Sequence, residues 1–163
     1  MPVLPLLRFP DPRLRQAASP IGLVDDAIRA LARDLLDTMR AAPGVGITGP
    51  HVGAMRRIVV IELEGRERTY VDPVITWSSP ETAHHMEGSV SMPGVTEEIE
   101  RPARVRVGHL DLDGGWREEE AGGFLATCLQ HEIDQLDGIF WIDRLSRLKR
   151  ERVIKRFEKL SRR

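Results

Sequence analysis

The stretch from Arg57 to Gly115 most constrains the fold, because its β-branched residues fall in short runs separated by turn formers. Residues 57–63, RIVVIEL, form a β-branched run of strand length. Further strand candidates cross 68–76, interrupted by Pro73, which cannot donate to a ladder. Val105 and Val107 alternate with Arg104 and Arg106, and Asp113, Gly114 and Gly115 then make a strong turn into another strand or directly into a helix. The middle of the chain is therefore β, with helical patterns on either side. Before it, Ile28, Leu31, Leu35 and Met39, with Ala32 beside them, recur at helical spacing from Asp25 to Met39, behind acidic residues that suit a helix N-terminus. Pro43, Gly44 and Gly46 end that helix, and a glycine-rich loop runs to Gly53. After it, 124–136 carries Leu125, Leu129, Ile133 and Leu136 before Gly138, while 148–160 would bury Val153, Phe157 and Leu160 on one side. Pro2, Pro5, Pro10, Pro12 and Pro20 forbid a helix at the start, leaving an extended arm that packing must hold.

At 163 residues the chain is the length of one domain, and one domain over 1–163 is the expectation. Hydrophobic residues at 41% and charged residues at 30% exclude disordered and collagenous classes, and no run reaches the roughly 20 apolar residues of a membrane span. The one cysteine, Cys128, excludes an internal disulfide and favours a reducing cytoplasm, as does the lack of a signal-peptide pattern after Met1. The formal net charge of -1 argues against a generally basic nucleic-acid binder, but it conceals polarity. Residues 144–163 hold ten Lys or Arg against Glu151 and Glu158, or +8, so the remainder carries -9.

Residues 130–135 read QHEIDQ. A metallohydrolase helix of the HExxH kind places two imidazoles one turn apart on one metal, with the intervening Glu as general base. Here His131 and Glu132 are present, but Gln135 stands where the second imidazole belongs. An isolated helical His is more often a hydrogen-bonded core or surface residue than a ligand.

Residues 44–53, GVGITGPHVG, 87–91, EGSVS, and 129–138, LQHEIDQLDG, resemble in order GxGLAAxQxG, EGCLS and QHExDHLxG, the first, second and third motifs of the peptide deformylase family. Asp11 to Arg15, Arg101 with Pro102, and 140–150 extend the likeness to nearly the whole chain. The resemblance implies an α+β fold, with small antiparallel sheets around the central helix carrying QHEIDQ and a C-terminal helix outside. It implies removal of the formyl group from N-terminal methionine by a divalent metal (Fe, Zn or Ni) held by the cysteine of the second motif and both histidines of the third. Carried over, the metal positions are Ser89, His131 and Gln135, of which only His131 is of the family's ligand type. Glu132 keeps the general-base position, and His51 stands where a glutamine donates to the carbonyl under attack. Gly46, Ile47, Gly88, Val90 and Arg101 fall at the substrate pocket.

A serine hydroxyl stays protonated near neutral pH and an amide offers only a carbonyl oxygen, so two of three ligand positions are weakened. Without a metal, water keeps a pKa near 15.7 rather than about 7. The sequence thus predicts a deformylase homologue without the usual metal cofactor and without ordinary deformylation, retaining a pocket for a peptide N-terminus or small acyl ligand. The alternative is an active amide hydrolase with a divalent metal in a site rebuilt around His51, His131 and Glu132. Rescue by Cys128, one turn before His131, and a metal-free arrangement with Ser89 as nucleophile, His51 or His131 as base and Glu132 as orienter, remain further readings. Of His84 and His85, adjacent on a strand, at most one can face inward. The basic C-terminal stretch reads as an amphipathic helix, and the resemblance implies a ribosome contact there.

Overall fold

In the computed structural model, which describes residues 2–162, three α-helices surround a five-stranded antiparallel sheet and a separate hairpin among the described residues. Helix α1 spans Asp26–Ala41; its cap, Asp25, accepts from the Ile28 N–H at 3.0 Å. Its seam of Ile28, Ala32, Leu35 and Met39 is buried. The sheet runs β1 (Gly46–Thr48), β2 (Ile58–Leu63), β3 (Arg66–Ser78), β6 (Arg104–Leu110), β7 (Trp116–Gly122) in spatial order. In β2, Ile58 and Val60 join the cluster of α1, while Val59 and Ile61 pack with Leu129, Ile133 and Leu136 of helix α2 (Gly123–Leu136). Both faces of β2 are covered, which explains why 57–63 is apolar without alternation.

Strands β4 (Thr82–Ser89) and β5 (Met92–Pro102) form the hairpin, which the sequence pattern did not reveal. One face of β5, carrying Met92, Val95 and Ile99, packs with Phe140, Val153 and Phe157, the last two from helix α3 (Arg147–Ser161). The other face is polar, and β4 is almost wholly so, leaving too few apolar residues to mark the pair. The Asp113 turn leads into β7, with Asp111 Oδ1 accepting from Asp113 and Gly115 N–H groups at 2.9 Å each. Leu160 departs from expectation: it is 40% exposed at the end of α3, its methyl group resting beside Gly94.

The proline-rich arm is held as expected, although it contains a 3-10 turn at Pro12–Arg15. Backbone bonds join Leu7 N–H to His51 O (2.8 Å), Phe9 N–H to Ser91 O (2.9 Å) and Ala18 N–H to Leu136 O (2.8 Å). The arm therefore straps together the three segments that carry the motifs. No helix among the described residues is long and apolar enough to cross a membrane.

Candidate active site

Helix α2 is the centre of the molecule, with every residue from Ala126 to Leu136 buried. It brings His131 and Glu132 to a cavity of about 480 Å³ whose other walls are the 42–46 loop, the β4–β5 hairpin and the start of α2. Gly46, Gly88, Ser89 and Val90 line this cavity together with Cys128, Phe124 and Met86. Ile47 and Arg101, expected in the wall, lie behind it: Ile47 packs in the α1 cluster, and Arg101 is buried beneath Glu87. Gly46 is demanded by proximity, since a Cβ there would stand 3.0 Å from Glu132 Oε1 and 3.2 Å from its Cγ.

Thr48 and His51, both departures from the first motif, bind each other. Thr48 caps the 3-10 turn Gly49–Val52; its N–H donates to His51 Nδ1 at 3.0 Å, while its hydroxyl accepts from the His51 N–H at 3.4 Å. A backbone N–H can only donate, so Nδ1 is the acceptor and the neutral ring carries its proton on Nε2. Burial, reinforced by His131, pushes the His51 pKa down to about 3, which keeps the ring neutral. Its Nε2 is buried without a partner, as is Glu132 Oε2, which lies 4.0 Å from His51 Nδ1. The pair presents one unused donor and one unused acceptor.

Burial pushes the Glu132 carboxyl up to about 7, against the opposing pull of His131. His131 is more easily protonated than an ordinary histidine: desolvation resists its charge, but Glu132 and Glu87 together outweigh it. Its Nδ1 lies 2.9 Å from Glu87 Oε1 and its Nε2 lies 3.7 Å from Glu132 Oε1. Glu87 also takes a two-pronged bond from Arg101 (2.6 and 2.9 Å); these partners overcome its burial and hold its pKa below the usual range. Arg101 reaches Asp134 at 2.9 Å, and Arg144 grips the same carboxylate at 2.9 and 2.8 Å. Sequence reasoning missed Asp134 and Arg144; Asp134, three residues after His131, shares its helix face, which was the available signal.

Gln135, at the position of the third motif's second histidine, donates from Nε2 to the Leu14 carbonyl at 2.7 Å. Ser89 Oγ accepts from the Ser91 N–H at 3.0 Å. Cys128 lines the cavity, its thiol pushed by burial up to about 12 and so protonated. His85 faces inward to Thr127 Oγ1 at 2.8 Å, while His84 is exposed near Glu100.

The polypeptide deformylase family model matches residues 3–151. This chain belongs to that family. A "Peptide deformylase-like" protein of Bradyrhizobium diazoefficiens is 60% identical, covering 99% of this chain and 96% of the relative. Among solved structures, a peptide deformylase from Legionella pneumophila matches with a TM-score of 0.94 at 36% identity over 99% of this chain and 96% of its own. The Ehrlichia chaffeensis peptide deformylase in complex with actinonin matches with a TM-score of 0.91 at 37% identity over 100% of both chains. The fold is therefore the deformylase fold, and the family is one of metal-dependent enzymes. Tested against that family's metal, the donor set fits poorly. Ser89 brings a neutral hydroxyl and Gln135 an uncharged amide whose only possible ligand atom is its carbonyl oxygen, leaving His131 as the one ligand of the family's type.

Proposed function

We propose that this deformylase-family protein receives a peptide N-terminus or small acyl group in its cavity and does not carry out ordinary metal-assisted deformylation. The observation that carries this reading is Gln135, which is buried outside the cavity wall with its Nε2 anchored to the Leu14 carbonyl at 2.7 Å, and which offers a metal only an uncharged amide oxygen where the family has an imidazole. A deformylase metal supplies a Lewis acid and an acidified water, and neither Ser89 nor Gln135 brings the charge or basicity to hold it. The cavity is present, with Glu132 and His131 in its wall, while His51 is buried outside that wall with its Nε2–H unpartnered.

A site rebuilt around His51, His131 and Glu132 would require His51 to surrender either the Thr48 bond to Nδ1 or the proton on Nε2. A serine-nucleophile arrangement lacks its first contact, since Ser89 has no hydrogen bond to either histidine. Calorimetric titration with an N-formyl-methionyl tripeptide, combined with detection of released formate, separates the readings. Binding without formate release is expected, whereas turnover at a rate typical of enzymes, about 1–1000 per second, would refute the proposal. Actinonin, bound by the Ehrlichia relative, serves as a second probe of the cavity.

A further inference from the structure

The basic pole of the sequence ends at the mouth of the cavity. Strand β5 lies along α3, with Lys149 Nζ 3.9 Å from Glu97 at one end and Leu160 packed against Gly94 at the other. Pro93, Gly94, Val95 and Thr96 line the cavity, so its rim and the last turns of α3 share a boundary. Those turns expose Lys155, Arg156, Lys159 and Arg162, and among the described residues none has an acidic partner within ion-pair distance. Glu158 is the one acid in that stretch, while Glu97 and Glu98 lie further along β5, where Glu97 already faces Lys149.

We infer that this end of α3 is a recognition surface for acidic residues of the peptide whose N-terminus enters the cavity. The inference rests on the cavity reading above and adds to it a substrate class: chains with carboxylates shortly after the first residue. Two features fit a peptide. Arg156 stands one helical turn before Leu160, which packs against Gly94 of the cavity wall, so one ligand can engage both the cavity and this end of α3. An extended peptide advances about 3.3 Å per residue, so residues two to four positions beyond the rim cross a helix about 10 Å wide. Exposed ion pairs are individually weak, contributing up to about fivefold in affinity each, so two or three give on the order of tenfold.

The test is titration of the full chain with two fluorescent N-formyl-methionyl peptides of equal length, one with three glutamates after its second residue and one with three serines there. At low salt the acidic peptide should bind on the order of tenfold more tightly, and this advantage should vanish at about 1 M salt, where the screening length is near 3 Å. The double change Arg156→Glu and Lys159→Glu, or the milder Arg156→Gln with Lys159→Gln, should erase the preference and leave the serine peptide's affinity unchanged. Equal binding of both peptides, or a preference that survives charge reversal, would overturn this inference while leaving the cavity reading intact. Binding of neither would overturn both. Loss of oligouridylate binding on charge reversal, with the two peptides indistinguishable throughout, would assign the cations to nucleic acid and overturn it as well.

Discussion

Glu132→Gln should stabilise the protein at alkaline pH, against the usual expectation for a residue at the centre of an active site. Burial raises the Glu132 carboxyl from 4.5 to about 7, and Oε2 has no partner. The folded state thus holds this proton more tightly than the unfolded chain. Stability falls as pH rises from about 4.5 through 7, and above that the full cost of a buried carboxylate is paid, on the order of 3 kcal/mol. His131, whose charge Glu132 favours, returns part of it, leaving a net gain of about 1–3 kcal/mol for the uncharged amide at pH 8. Near pH 5 the wild-type carboxyl is already protonated and the two proteins should differ little. Urea unfolding followed by circular dichroism in chelator-containing buffer measures this directly, since about 2 kcal/mol moves the midpoint by on the order of 1 M. A variant less stable than wild type at pH 8 would refute the reasoning, because it would mean that a bound cation or another donor satisfies the carboxylate.

Two other substitutions probe the frame of the site. Arg101→Leu removes the guanidinium that joins Glu87 to Asp134, leaving a buried carboxylate short of its partner, and should cost about 3–5 kcal/mol, visible as a fall in Tm of roughly 10 °C. A loss under about 1 kcal/mol would show that water already reaches Glu87. Gly46→Ala drives a methyl group against Glu132 Cγ and should cost about 1–3 kcal/mol while weakening peptide binding, both read from the same titrations. Unchanged affinity would mean that Glu132 does not set the shape of the cavity.

Much of this architecture is legible in the sequence because its signals are local. Asp25 and the seam from Ile28 to Met39 define α1, and the uninterrupted apolar run 57–63 matches a strand covered on both faces. The β4–β5 hairpin was not legible, because its polar faces look to solvent and to the cavity and its core contacts are few and distant in sequence. The motif spacing singled out Ser89, His131 and Glu132, which line the cavity, and His51 and Gln135, which are buried outside its wall, but not how any of them is partnered. The Thr48–His51 bond that fixes the tautomer and the turn of Gln135 toward Leu14 depend on how the loop and arm meet α2. Asp134 and Arg144 were missed for a related reason: they belong to a chain of charges that runs from His131 through Glu87 and Arg101 to Asp134 and ends at the half-exposed Arg144. No short segment announces such a network.

The central claim, that this deformylase fold no longer holds its family's metal, is tested most directly by elemental analysis of the protein purified anaerobically with iron, beside the triple variant Ser89→Cys, Gln135→His, His51→Gln. The account predicts well under one metal ion per chain for the natural sequence, and stoichiometric metal with some formyl-methionyl cleavage for the variant. One tightly held ion per chain in the natural protein, retained through dialysis against a chelator, would contradict it.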